Sequence, residues 1–160
     1  MVLGLLMGLV FFLDAAAAEA PADLIVVEKA MRRLTLYRGD VPLRSYRVAL
    51  GFSPSGDKAR EGDGKTPEGR YTIDFKNAQS AFHLSLRISY PNAKDRAEAS
   101  AQGLDPGGDI FIHGMPEGWN WVGPLHTVSD WTLGCIAVTN TEIEEIWRLV
   151  PVGTPIEIKP

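Results

Sequence analysis

One cysteine occurs among 160 residues, and it sits in Thr132-Leu133-Gly134-Cys135-Ile136-Ala137-Val138. A glycine directly before a cysteine lets the backbone turn sharply and leaves amide N–H groups beside the thiol, so that a nucleophile and its oxyanion donors are built together. A thiol attacks a carbonyl carbon well only as thiolate, and it therefore needs an imidazole nearby to take the proton. His83, His113 and His126 are all candidates on spacing alone. Asp109-Ile110-Phe111-Ile112-His113-Gly114 reads as a short apolar strand ending in a histidine at the mouth of a loop. A strand terminus holds a catalytic group more firmly than a loop does, which favours His113. The plain alternatives are a buried, inert thiol and a structural, hydrogen-bonding histidine. One cysteine and three scattered histidines show neither paired Cys spacing nor an H-x-x-x-H pair, so no metal and no cofactor is expected.

The elements that must position these residues are mostly strands. Leu24 to Glu28, Leu34 to Tyr37 and Leu43 to Leu50, separated by turns at Lys29–Arg32 and Gly39-Asp40, read as a β-meander. Residues 51 to 70 carry Gly51, Pro54, Gly56, Gly62, Gly64, Pro67 and Gly69 and break the period, which predicts a long loop, functional or mobile. Strand period returns over 70 to 75 and again over 82 to 90. In the second, Phe82, Leu84, Leu86, Ile88 and Tyr90 share a core face; His83, Ser85, Arg87 and Ser89 share a face that is either solvated or the wall of a cleft.

Asn92 to Gln102 reads as a short helix capped by Asn92 and ended by Gly103. Residues 114 to 131 are loop-like and hold Trp119, Trp121 and Trp131, a mixture of core cover and aromatic rim to a groove. Beyond the cysteine, Ile136 to Val138 read as a strand. Thr139 to Val150 is the best helix, with Ile143, Ile146, Trp147 and Val150 on one face and Thr141 with Glu144 as a capping box. Residues 154 to 159 make a last strand with Ile156 and Ile158 on one face.

With 45% hydrophobic and 22% charged residues, the chain can bury one core and is not disordered. Its net charge is -4 and it has no basic run, so nucleic acid is not an expected partner. Met1 to Leu13 is almost wholly apolar and is followed by small residues, with Ala16-Ala17-Ala18 or Ala18-Glu19-Ala20 as cleavage sites. Residues 1–20 therefore read as a signal peptide, truncated in that it lacks a basic start, and 21–160 as the mature domain with no stable membrane span after processing. In an exported chain a single cysteine cannot form an internal disulfide, which leaves a buried hydrophobe, an intermolecular link or a reactive thiol.

Ile112-His113-Gly114, followed downstream by Thr132-Leu133-Gly134-Cys135-Ile136, resembles the histidine and Ser/Thr-x-Gly-Cys elements of the YkuD-type L,D-transpeptidases. Lys65-Thr66-Pro67-Glu68-Gly69-Arg70-Tyr71 is similar to that family's T-P-x-G-x-aromatic signature, and the likeness runs from about Leu24 to Pro160. His83-Leu84-Ser85-Leu86, Ser89-Tyr90-Pro91-Asn92 and Gly134 to Asn140 resemble its YafK-like branch. The resemblance implies a mainly β (α+β) fold, a YkuD-like β-sandwich with a short helix and a C-terminal helix packed on it. It also implies a periplasmic enzyme of Gram-negative type that acts on peptidoglycan stem peptides, in cell wall biogenesis and cell shape, with a peptidoglycan-attached lipoprotein as a further partner. By the same resemblance Cys135 is the nucleophile, His113 the base and later the acid, and the Gly114 carbonyl orients the ring. Thr132, Leu133 and Gly134, with His83, Ser89, Tyr90 and Trp131, then supply oxyanion and substrate contacts.

Two positions depart from the family pattern. Leu133 stands where most members have histidine, and Ala137 where many have arginine. The proton-transfer pair is retained while recognition beside the thiol must differ. A transpeptidase, a hydrolase (amidase or L,D-carboxypeptidase) of the same fold, and an inert exported peptidoglycan-binding module are the three readings that follow.

Overall fold

The computed structural model of the protein describes residues 19–160. The expected leader segment and its first cleavage site lie outside the described residues. Eight strands, β1 (Leu24–Glu28), β2 (Arg33–Arg38), β3 (Val41–Arg47), β4 (Gly69–Ser80), β5 (His83–Ile88), β6 (Phe111–His113), β7 (Ile136–Ala137) and β8 (Pro155–Lys159), form one sheet in the order β3-β2-β1-β8-β4-β5-β6-β7. Two helices complete the fold, α1 (Ala93–Ala101) and α2 (Asn140–Leu149), with a 3-10 segment over Asn120–Val128.

β1 to β3 are the expected antiparallel meander. The last strand inserts beside β1 in parallel, Ile25 opposite Ile156 and Val27 opposite Ile158, so residues far apart in sequence complete one face. β4 then belongs to both halves of the sheet. Its start, Gly69 to Thr72, pairs with β8; its remainder pairs with β5, with register shifts between Ile73 and Phe75 and between Asn77 and Ser80. Such shifts bend a strand and increase its twist, and here the sheet curls over on itself into a sandwich-like shell. The expected strand over 70 to 75 is thus twice as long. Lys76 to Ser80 carry no apolar alternation and are strand only because β5 supplies their ladder partners.

The curl is closed by two isolated bridges beyond the named strands, Ala49 with Ala137 and Gly51 with Thr132. The core between the layers is aliphatic: Ile25, Leu34, Leu36, Ile73, Leu86, Ile88, Ile112 and Ile136 are all fully buried. Ile143, Ile146 and Leu149 place the apolar face of α2 on this core, and each such side chain contributes about 1.5–3 kcal/mol.

Local chemistry explains where the helices start. Asn92 caps α1 by accepting from the Lys94 and Asp95 N–H groups, and Asp95 returns a carboxylate to the Asn92 N–H. In α2 the capping box is Thr139 with Glu142, not Thr141 with Glu144. Thr139 leaves β7 in an extended conformation and therefore occupies the cap position, while Glu144 turns to His83 at 2.7 Å. Trp119 and Trp121 are exposed and cover no core, in contrast to the expectation of a mixed role.

Thr139→Ala should lower stability by about 1 kcal/mol in a denaturant titration, and Thr141→Ala should leave it within a few tenths of a kcal/mol.

Candidate active site

A cleft of about 670 Å3 opens where the curled sheet meets the loops, and Cys135 and His113 both line it. The strands put them there. β6 and β7 run parallel, with Ile112 opposite Ile136 and His113 opposite Ala137. Side chains two apart on a strand share a face, so Cys135 and His113 project to the same side of adjacent chains, offset by two residues; the thiol itself lies 3.6 Å from the Asp109 carbonyl.

The cysteine turn is held through Thr132. Thr132 exchanges backbone hydrogen bonds with the 50–52 segment, its N–H to the Leu50 carbonyl (3.1 Å) and its carbonyl from the Phe52 N–H (2.9 Å). Its hydroxyl donates to the Cys135 carbonyl (2.7 Å) and accepts from the Gly134 N–H (3.1 Å). The Gly134 amide is thereby occupied. The Leu133 and Cys135 N–H groups have no acceptor among the described residues. Gly134 itself lies at φ 139°, and a Cβ there would fall 2.7 Å from the Lys65 carbonyl, so both conformation and space require glycine.

The signature Lys65 to Tyr71 is the support beneath this turn. Thr66 Oγ1 accepts from the Gly51 N–H (3.0 Å), and Lys29, buried, donates from Nζ to the Thr66 carbonyl (2.9 Å), the Gly56 carbonyl (2.7 Å) and Glu68 (2.7 Å). Asp130 ties the other side. It receives a bidentate Arg32 guanidinium (2.8–3.1 Å) and the Leu50 N–H (2.9 Å). Lys29, Arg32 and Asp130 carry no sequence signal beyond being charged residues next to turns.

His113 is 3% exposed, packed by Phe82 (ring centroids 4.4 Å apart) and edge-on to Trp131 (5.9 Å). Phe82 was expected in the core and instead lines the cleft against the imidazole. His113 Nδ1 lies 2.7 Å from the Gly114 carbonyl. A carbonyl only accepts, so Nδ1 holds the proton and Nε2 is left as the ring's acceptor. Burial pushes the imidazole down to about 4, opposed by the Gly114 hydrogen bond. Burial likewise pushes the Cys135 thiol up, opposed by the Phe111 N–H, which donates to Sγ at 3.4 Å. At neutral pH the pair is therefore a thiol and a neutral imidazole, not an ion pair.

Of the other residues singled out in the sequence, Trp131, Thr132 and Leu133 line the cleft, Leu133 as an exposed side chain on its rim. Gly114 is closely enclosed: a Cβ would meet Asn140 Oδ1 at 2.7 Å and the Phe82 carbonyl at 3.0 Å. Ser89 and Tyr90 lie in a separate depression beside Arg87. There Ser89 Oγ accepts from the Thr72 N–H and the Tyr90 hydroxyl donates to the Pro106 carbonyl. His83 pairs with Glu144 and also lines a different depression. His126 is buried in the 3-10 segment away from the cleft lining. The polar face of β5 is thus divided: Ser85, directly opposite His113, is buried cleft wall, while His83 faces outward. Among the described residues no cluster of three or more metal-ligating side chains occurs, and no helix is long and apolar enough to cross a membrane.

A thiol, a tautomer-fixed imidazole and two amides without an acceptor among the described residues thus meet in the lining of one cleft. The chain belongs to the YkuD family, the L,D-transpeptidase catalytic domain, which matches residues 22–158. It is 33% identical over 110 residues to the YafK protein of Escherichia coli strain K12, an alignment that covers 68% of this chain and 37% of YafK. Its fold is similar to that of Pgp2, a helical cell shape determining protein of Campylobacter jejuni (TM-score 0.66, 25% identity, 89% of this chain and 49% of that one). An L,D-transpeptidase from Mycobacterium smegmatis shares the fold at 16% identity (TM-score 0.57, 87% and 59% covered). The chain thus spans between 37% and 59% of the length of these relatives.

With the pair neutral at rest and the thiol pushed up by burial, alkylation of Cys135 by iodoacetamide should be slower at neutral pH than that of a free thiol and rise on the alkaline side. Because His113 is pushed below its unfolded value near 6.5, the unfolded chain binds more protons between 6.5 and 4. Stability should therefore be full above 6.5 and fall as pH drops towards 4, as chemical denaturation across that range would read.

Proposed function

We propose that this chain is a periplasmic cysteine L,D-transpeptidase acting on peptidoglycan stem peptides. The observation that carries the reading is the convergence of Cys135, His113 and the free amides of Leu133 and Cys135 in one cleft, in a chain of the L,D-transpeptidase catalytic-domain family. The leader-like segment Met1 to Leu13 supports export, and the cell-shape role named for Pgp2 is consistent with a wall substrate.

In the first half-reaction, His113 Nε2 takes the thiol proton as Sγ adds to the carbonyl carbon of the L-residue in an L,D-peptide bond. The oxyanion is met by the Leu133 and Cys135 N–H groups. Collapse breaks the C–N bond, and His113 returns the proton to the departing amine of the D-residue, leaving a thioester. In the second, an acceptor amine adds to the thioester and loses its proton to His113, and the thiol is regenerated. The resting neutral pair suits this sequence because proton transfer and attack occur together, with His113 already in its base form.

A hydrolase reading uses the same residues with water as acceptor. It is favoured by one feature: exposed Leu133 puts an apolar side chain on the rim where recognition of an acceptor peptide by hydrogen bonds would take place. Incubation with tetrapeptide muropeptides, with and without an amine acceptor, separates the two. Cross-linked product is expected; shortened or released peptide alone would overturn the transpeptidase reading.

Cys135→Ala should abolish both chemistries with little change in melting temperature, and mass spectrometry should find a carbapenem adduct on Cys135 of the wild type only. His113→Ala should slow that acylation by about 100-fold or more, whereas His126→Ala should leave its rate within a few fold.

A further inference from the structure

Besides the neutral His113, the charged side chains that line the Cys135 cleft are Lys58, Glu61 and Asp109. Lys58 is neutralised within its own loop. Its side chain is 4% exposed, and its Nζ donates to Asp63 Oδ1 (2.8 Å) and to the Arg60 carbonyl (3.0 Å). Glu61 and Asp109 are exposed, and among the described residues neither carboxylate has an ion-pair or hydrogen-bond partner. The charge of Asp109 reaches Arg87, but Asp74 holds that guanidinium at 2.8 Å. What the cleft offers a ligand is therefore negative charge without a counter-ion.

Two loops bring these carboxylates together. Glu61 lies in the loop between β3 and β4, and Asp109 in the turn that leads into β6. The Glu61 N–H donates to the Asp105 carbonyl (2.8 Å), and a Cβ on Gly107 would fall 3.2 Å from the Glu61 Cβ, so the two loops pack against each other. Asp109 also adjoins the reacting atom. Its carbonyl accepts from the Cys135 thiol at 3.6 Å, and its charge pushes the thiol further up. In the same lining, His113 is 3% exposed and its Nε2 has no donor among the described residues. Uncompensated carboxylates and a buried, unpartnered acceptor favour a ligand that brings positive charge and N–H groups. A protonated amine brings both, with three donors and no acceptor, whereas an anionic group is repelled.

We propose that the Cys135 cleft selects peptides that carry an ammonium group beside the reacting bond, with Asp109 and Glu61 as the residues that recognise it. The proposal rests on the reading of Cys135 as a nucleophile towards peptides. The ammonium has two possible sources, a side-chain amine on the donor residue that carries the scissile carbonyl, or a second, non-reacting amine on the acceptor that resolves the thioester. Either makes charge-assisted hydrogen bonds to the two carboxylates, and a neutral acetamide in its place loses the charge and two of the three donors. Because both carboxylates are exposed and screened by solvent, the preference should be about 10-fold in kcat/KM and should shrink with added salt.

The test uses the full chain in two arms. In the first, two donor peptides differ only in a free or an acetylated side-chain amine on the residue with the scissile carbonyl, and release of the departing D-residue is followed. In the second, lysine amide and its Nε-acetyl derivative are compared as acceptors by the formation of linked product. At low ionic strength acetylation should cost the wild type about 10-fold in kcat/KM in one of the arms, which identifies the source of the ammonium, and the difference should shrink at high ionic strength. The double variant Glu61→Gln, Asp109→Asn should turn over the free amine at the level of its acetylated form; asparagine tolerates the φ of 54° at position 109. Circular dichroism checks that the variant folds; if it does not, the wild-type comparison and its salt dependence decide alone. Equal kcat/KM for free and acetylated forms in every arm that turns over would overturn the proposal, as would a folded double variant that keeps the wild-type ratio. Either result would leave the enzyme reading intact. Absence of D-residue release from both donors, with Cys135 still alkylated by iodoacetamide, would overturn the enzyme reading and the proposal with it.

Discussion

The cleft exists because the two ends of the curled sheet are tied together. Thr132 and Ala137 reach back to the segment that follows β3, through the Thr132–Leu50, Phe52–Thr132 and Ala49–Ala137 hydrogen bonds. Backbone has to approach backbone closely for this. A Cβ on Gly51 would overlap the Gly64 carbonyl, and one on Gly134 would meet Lys65. The glycines that interrupt strand period are the condition for the closure. With the sheet closed, the parallel β6–β7 pair is fixed in register and the thiol faces the imidazole's side of the sheet.

Buried charge holds this closure in place. Lys29 and Lys58 are two ammonium groups almost without solvent; each meets one carboxylate, Lys29 with two backbone carbonyls and Lys58 with one, all in the 51–68 loop. Burying such a pair gains little net free energy, but leaving one member unpaired costs several kcal/mol. The loop is consequently fixed in one conformation rather than held by apolar contacts. It is ordered through polar anchors that leave its outer surface free to line the cleft.

Cys135 and His113 show the opposite arrangement, with no charge at all. Phe82 and Trp131 exclude water from His113, and burial of Cys135 disfavours its thiolate, so both groups rest neutral. A neutral pair avoids the cost of two buried ions. The Thr132 hydroxyl occupies the Gly134 amide and the Cys135 carbonyl, which leaves the Leu133 and Cys135 amides as the available donors.

Much of this was legible along the chain. The meander, the strand ending at His113, both helices and the glycine–cysteine turn follow from alternation, helical spacing and capping residues, all of which act within a few residues. What could not be read locally depends on partners far away in sequence. Leu50 meets Asp130 across 80 residues and Arg32 meets it across 98. The extension of β4 to Ser80 has no pattern of its own and depends on β5. Ser85 and His83 share a strand face by periodicity, yet one is cleft wall and the other pairs with α2, because His83 stands at φ 69° at the strand's first residue. Residue type and spacing were enough to nominate a thiol and three imidazoles. Which imidazole shares a cleft with the thiol was decided by the sheet, since strand pairing, with its fixed spacing and its two faces, puts His113 and Cys135 in one lining while His83 and His126 lie outside it.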